Sequence, residues 1–135
     1  MEQECIFCKI IAGQLPSSRI YEDGKTLAVL DIFPACPGHA LVIPKEHHSD
    51  VFDTPDETLK SLALASKKVA ARLRQVLGVD SVNLINNSGA AAGQVVFHMH
   101  VHVVPRSKGD GLDFKLNREK ADSSYLSEMS AKLRF

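Results

Sequence analysis

The chain has 135 residues, 44% hydrophobic and 24% charged, and its sixteen basic and sixteen acidic side chains cancel. That length allows one domain with a real core and leaves no room for a second. There is no basic stripe of the kind a nucleic-acid binder carries, and no apolar run long enough to cross a bilayer.

From the N-terminus, MEQECIFCKI has no basic segment leading into an apolar stretch, so a secretory signal is not expected. Three cysteines, an odd number, indicate a reducing compartment, here the cytoplasm, and not a disulfide framework. Cys5 to Ala12 can form a short helix ended by Gly13. Residues 18–22 and 26–32 are expected as strands joined by a turn at Asp23-Gly24. FPACPG, with two prolines and a glycine, is a loop, and HALVIPK (39–45) gives another strand.

The long helix is expected to start at Thr54, as an N-cap hydroxyl followed by Pro55 at the first helical position and Glu57 three residues after the cap. Leu59, Leu62, Ala63, Val69, Ala70, Leu73 and Leu77 recur at helical spacing, and Gly78 can end the helix. VNLI (82–85) is a strand, NNSGAAAGQ (86–94) a loop, and 95–104 a long strand. A short C-terminal helix through Leu126, Met129 and Leu133 completes the chain. Strands on both sides of one long helix, mostly joined by short loops, indicate an α+β fold with an antiparallel sheet.

Three of the six histidines fall in FHMHVHVVPR (97–106), at His98, His100 and His102. On a strand, alternate residues share a face, so these three point one way while Met99, Val101 and Val103 point into the core. Neighbouring imidazoles would stand about 6.6–6.8 Å apart along the strand, far enough for each to take its own partner. A polar strand face rarely consists of three histidines, because Lys, Glu, Thr and Ser usually fill such positions. A neutral imidazole can ligate a metal. It can also attack phosphorus when its other N–H is held by an acceptor, with a neighbouring imidazole protonating the leaving group.

Cys5 and Cys8 form a CxxC pair, open at this point to three readings: two buried apolar thiols, a zinc half-site, or a redox pair. Because a structural zinc site needs four ligands, the missing two would be histidines, from His39, His47, His48 or the triad strand. In the loop before that strand, the small residues Ser88 to Gly93 could let backbone N–H groups approach an anion.

Together these stretches resemble the histidine triad (HIT) family, and in particular bacterial HIT hydrolases related to the purine-nucleoside phosphoramidases. The resemblance rests on CIFCKIIAGQLPS (5–17), YEDGKTLAVLDIFPACPGHALVIPKEH (21–47), NSGAAAGQVVFHMHVHVVPR (87–106) and GDG (109–111). It implies one HIT domain over 1–135 with a variable tail from 111, usually a homodimer, binding purine nucleoside monophosphates and their conjugates. It further implies that His100 attacks the α-phosphorus to form a nucleotidyl-histidine that water hydrolyses. His102 would contact the phosphate and leaving-group side, and His39 would orient the triad. Asp31 would bind the ribose hydroxyls. Asn87, Gly93 and Gln94 would form the phosphate-side loop, and Ile6, Phe7, Ile10 and Val29 would enclose the base.

Zinc-bearing members imply one structural Zn2+ per chain on Cys5, Cys8, His47 and His98. His48 has no role in that pattern and is expected as a solvated neighbour. The chain departs from the usual loop at Ser88, where relatives often carry Asn or Glu. Hydrolysis of nucleoside phosphoramidates or related AMP and GMP conjugates is the leading expectation. The alternatives are a binding or scaffolding module, a dinucleoside polyphosphate hydrolase, and a catalytic three-histidine zinc site.

Overall fold

In the computed structural model, which describes residues 4–114 and 116–135, five antiparallel strands form one sheet with a long helix across one face. Residues 1–3 and Lys115, inside the expected 1–135 domain, lie outside the described residues. The strands are β1 (Arg19–Glu22), β2 (Thr26–Leu30), β3 (Ala40–Pro44), β4 (Ser81–Ile85) and β5 (Val101–Arg106), and their order across the sheet is β1-β2-β3-β5-β4. The helices are α1 (Ile6–Ile11), α2 (Asp56–Leu77) and α3 (Ser123–Leu133). The architecture is α+β, as the alternation of elements in the sequence indicates.

The hairpin between β1 and β2 closes on Asp23, whose carboxylate accepts from the backbone N–H groups of Lys25 and Thr26, both at 2.8 Å. Each side chain of β2 and β3 is sorted by the pleat to one of two faces. Ala28, Ala40 and Val42 meet Leu62, Ala65, Val69 and Leu73 of α2, together with Met99 and Val103. Leu27, Val29, Leu41 and Ile43 face the other way and pack with Phe7 of α1. The central strands are therefore buried on both sides, and each large aliphatic side chain taken from water contributes about 1.5–3 kcal/mol. His102 lies opposite Leu41 in the β3–β5 register, which puts it on the α1 side of the sheet, away from the long helix.

Two expectations are corrected. The capping box at Thr54 does not form, because the Thr54 hydroxyl donates to the Asp50 carbonyl at 2.6 Å. The helix starts at Asp56, with acidic Asp56 and Glu57 in its first turn as the helix dipole favours. The triad strand is shorter than expected at its start and longer at its end, 101–106 in place of 95–104. Its pairing with β3 stops at Val42↔Val101, and the backbone bends through Val96–His98. There the Met99 N–H leaves the ladder and donates to the His48 carbonyl at 2.6 Å. Met99 and Val103 are buried as the alternation requires, and Val101 packs partly buried beside them.

Gly38, just before β3, has φ +90, and a Cβ there would stand 2.6 Å from Leu77 Cδ1 and 3.3 Å from both Leu73 Cδ2 and Pro105 Cγ. Gly38→Ala combines a disfavoured backbone conformation with overpacking, so it should destabilise the fold by about 1–3 kcal/mol. The urea midpoint should fall at unchanged m-value; a variant as stable as the wild type would contradict this packing.

Candidate active site and metal cluster

A cavity of about 590 Å³ opens on the α1 side of the sheet. Its walls include Ile6, Phe7, Ile10 and Val29, the four residues expected to enclose a base. Asp31, Asn87, Gly93, His100 and His102 also line it. Gln94 does not. Its side chain is buried and spent on the loop: the carboxamide oxygen accepts from Gly89 N–H at 2.7 Å and the nitrogen donates to the Ser49 carbonyl at 2.7 Å.

The small-residue loop differs from an open nest of N–H groups. Ala90–Ala92 form a 3-10 turn, and the N–H groups of Gly89, Ala92, Gly93 and Gln94 all find acceptors inside the loop. Gly93 sits at φ +93, a conformation that side chains disfavour, with Asn87 Cγ 3.9 Å from the position a Cβ would take. What the loop offers the cavity is Asn87 and the bare backbone of Gly93.

The three histidines of the triad have different surroundings. His100 Nδ1 stands 2.7 Å from the His98 carbonyl, which can only accept, so Nδ1 carries the proton and Nε2 keeps a lone pair. Burial is the main cause holding the His100 imidazole below its ordinary range, so the neutral form persists. Phe7 meets the His100 ring edge-on, with centroids 5.1 Å apart, and meets His98 in the same way at 5.8 Å.

His39 lies behind His102 and does not line the cavity. The Ala35 N–H donates to His39 Nδ1 at 3.0 Å, so the proton of neutral His39 is on Nε2. His39 Nε2 then donates to His102 Nδ1 at 2.9 Å. By the same logic His102 carries its proton on Nε2, the nitrogen left for the cavity. His39 is thus a positioning residue that selects the His102 tautomer. Asp31 Oδ2 stands 3.5 Å from His39 Nε2 and 3.9 Å from His102 Nδ1, and Asp31 Oδ1 accepts from Phe33 N–H at 2.9 Å.

His98 is fully buried and turned away from the cavity. Its Nε2 donates to the Pro44 carbonyl at 2.8 Å, which leaves Nδ1 as a lone pair facing Cys5, Cys8 and His47. The nearest separations are 3.3 Å for Cys5–His98, 3.3 Å for Cys8–His47, 3.5 Å for Cys8–His98 and 3.1 Å between the two Nδ1 atoms. A tetrahedral ion with bonds of about 2.0–2.1 Å to nitrogen and 2.3 Å to sulfur needs edges of roughly 3.3–3.8 Å. The four residues fit a metal ion, and the bond from His98 to Pro44 is the outer support that such ligands commonly carry.

Asp31, His39 and His102 also bring three potential ligand atoms within 4.8 Å of one another. Ring geometry separates the two clusters. His39 and His102 meet end to end, with centroids 5.1 Å apart for an N···N distance of 2.9 Å, as a hydrogen bond requires. His47 and His98 stand closer, 4.8 Å between centroids, for a longer N···N distance of 3.1 Å. Their lone pairs converge on a common point, as a metal requires.

His48 corrects another expectation. Its ring is half-buried, not solvated, with Nε2 3.4 Å from Glu46 Oε1, and its carbonyl holds Met99 N–H. Leu15, Pro16 and Phe33 also line the cavity, although the resemblance assigns them no role. Asn86 is also unmarked in the sequence, apart from its place in the doubled asparagine of NNSG; it donates to the His100 carbonyl at 3.0 Å.

A HIT domain family model matches residues 12–109. The chain belongs to the HIT domain family. Cys5 and Cys8 precede the matched segment, so half of the metal cluster lies outside it. Protein hit of Bacillus subtilis is 48% identical over 110 residues, which is 81% of this chain and 76% of that protein. An adenylylsulfatase of Arabidopsis thaliana is 40% identical over 83% of this chain and 57% of its own length. Among solved structures, a protein from Streptococcus mutans superposes with TM-score 0.93 at 40% identity, covering 97% of this chain and 83% of that one. A zinc-bound histidine triad family protein from Mycobacterium smegmatis gives 0.81 at 40% identity, with 98% and 99% covered. A histidine triad nucleotide-binding protein from Candida albicans gives 0.87 at 34% identity, with 97% and 95% covered.

Burial also makes stability pH-dependent. An unfolded histidine titrates near 6.5, whereas burial pushes His102 down to about 4. Between those values the unfolded chain holds a proton that the folded chain lacks, so stability rises with pH across that window. The contribution is complete above pH ~6.5 and is lost as pH falls towards ~4. Urea midpoints should therefore drop between about pH 7.5 and pH 5, and the drop should shrink in His102→Gln. A midpoint that rises on acidification would contradict the neutral, buried relay.

Proposed function

We propose that this protein is a hydrolase that acts on the α-phosphate of nucleoside phosphoramidates and related AMP or GMP conjugates, with His100 as nucleophile. The supporting observation is the state of His100: buried, neutral, its Nδ1–H tied to the His98 carbonyl, in a cavity with apolar walls. That leaves Nε2 as the only ring nitrogen able to attack.

The apolar walls Ile6, Phe7, Ile10 and Val29 hold the base, Asp31 takes the ribose hydroxyls, and Asn87 with Gly93 borders the phosphate. The His100 Nε2 lone pair forms a bond to the α-phosphorus as the bond from phosphorus to the leaving amine breaks. His102 presents Nε2–H to the phosphoryl and leaving-group side. In the free protein His102 is neutral, so it supplies a hydrogen bond and not a proton. An anionic phosphate accepts that hydrogen bond, and the departing amine takes its proton from water, because His102 Nδ1 already accepts from His39 Nε2–H and has no place for a second proton. Water then cleaves the P–N bond to His100, releasing the nucleoside monophosphate and restoring the imidazole. The name of the Arabidopsis thaliana relative, an adenylylsulfatase, supports an adenylyl group with a variable leaving partner.

Cys5, Cys8, His47 and His98 hold one structural zinc ion per chain in this reading, and the zinc-bound Mycobacterium smegmatis relative supports it. With four protein ligands and no open position, the ion would serve as a tether. Two chains form a homodimer, for which β4 offers an unpaired sheet edge carrying exposed Leu84. A cytoplasmic location fits an odd number of cysteines, two of them in the metal cluster, and no described helix is long and apolar enough to cross a membrane.

The chemistry is tested by AMP release from adenosine phosphoramidate. His100→Ala should abolish release while the circular dichroism spectrum persists, and wild-type protein denatured during turnover should carry a nucleotidyl adduct on His100. Full activity in His100→Ala would sink the mechanism. Native mass spectrometry should give twice the 14.8 kDa chain mass plus about one zinc per chain. A monomeric or metal-free species from gently purified protein would overturn that part.

A further inference from the structure

The nucleophile sits just where the sheet gives out. The β4–β5 ladder ends at Ile85↔His102 and the β3–β5 ladder at Val42↔Val101, so His100 lies beyond both. Its carbonyl has no rung to enter. One residue past the end of β4, the side-chain amide of Asn86 takes over, with Nδ2 donating to the His100 carbonyl at 3.0 Å. The same nitrogen lies 3.3 Å from Met99 Sδ.

The His100 carbonyl can only accept, and that sets which way round the Asn86 amide stands. Ser88 Oγ donates to Asn86 Oδ1 at 2.7 Å and accepts from Val51 N–H at 3.0 Å. With Nδ2 on the His100 carbonyl, Oδ1 is left to accept from the Ser88 hydroxyl, which holds the amide in place. Asn87, which lines the cavity, lies between these two anchors. The bond also restrains the peptide that positions the His100 ring, because His100 holds its own Nδ1–H on the carbonyl two residues back.

We propose that Asn86 is a positioning residue for His100: it extends the ladder by one side-chain rung, fixes the nucleophile's backbone, and joins it through Ser88 to the loop that carries Asn87. The idea rests on the reading of His100 as nucleophile. Asn86 makes no contact with the nucleotide in it; its effect is on the rate at which His100 reaches phosphorus, not on binding. The side chain at 88 is part of the device. A serine there is short enough to bridge the Val51 N–H and the Asn86 amide oxygen.

The test uses full-length protein with its metal. Asn86→Asp keeps the shape but cannot donate to the His100 carbonyl; Ser88→Ala keeps the donor but frees the amide to turn. Asn86→Asp should bind AMP with wild-type affinity and form the nucleotidyl-His100 adduct roughly tenfold more slowly, the scale of one net hydrogen bond, with KM little changed. Ser88→Ala should show a smaller loss in the same direction. Independently of turnover, 15N-edited NMR should show a single slowly exchanging Nδ1–H for His100 in the wild type, broadened or lost in Asn86→Asp. Wild-type adduct formation and an unchanged Nδ1–H signal in Asn86→Asp would overturn the proposal, as would a loss confined to AMP affinity. If Asn86→Asp fails to fold, Ser88→Ala with the same two readouts decides. Absence of any adduct on wild-type His100 would strike at the nucleophile reading, and the NMR comparison would still decide the role of Asn86.

Discussion

His98 is the residue on which both halves of this site depend. One ring nitrogen donates to Pro44, the other faces two sulfurs and a second imidazole, and its carbonyl holds the ring of His100. A single residue thus supplies one corner of the cysteine–histidine cluster from its side chain and a tautomer lock from its backbone. The bend through Val96–His98 makes this possible, since a regular strand would commit that carbonyl to a neighbour.

The other imidazoles are ordered by the same device, an acceptor or donor that the backbone supplies. An N–H at Ala35 sets His39, His39 sets His102, and the carbonyl of His98 sets His100. His98, His100 and His102 therefore each have one nitrogen assigned by structure and one left for a ligand or for chemistry, while His39 spends both on its neighbours. Desolvation adds to this by disfavouring the imidazolium in every member. The result is a row of neutral rings with defined tautomers, which is what preorganisation means for histidine.

Much of this was legible in the sequence, for identifiable reasons. Apolar runs and helical spacing located four strands and the long helix to within a few residues, but only Val101–Val104 of the expected 95–104 strand is a strand. The motifs brought Cys5, Cys8, His47 and His98 to one point and His100, His102 and Asp31 to one cavity. What was hidden depended on competition between hydrogen bonds. The Thr54 hydroxyl had two possible uses, and the Asp50 carbonyl won over the helix N-terminus. Four of the loop amides, those of Gly89, Ala92, Gly93 and Gln94, are consumed by the loop itself and not left for an anion. Gln94 matches a family position but braces the loop from within, and Asn86 matches none yet reaches the backbone of His100. Periodicity says which way a side chain points; it does not say which partner prevails.

Gly38 leaves no room for a Cβ beside Leu73 and Leu77 of the long helix, and the next residue is His39. Only one peptide unit therefore separates a packing contact of the main core from a nitrogen that sets the tautomer of His102. In so thin a protein, tolerance is shared across the sheet: the hydrogen-bond distance between two imidazoles inherits the precision with which leucines fit on the opposite side. The helix that never touches the cavity acts, in this sense, as its calibration.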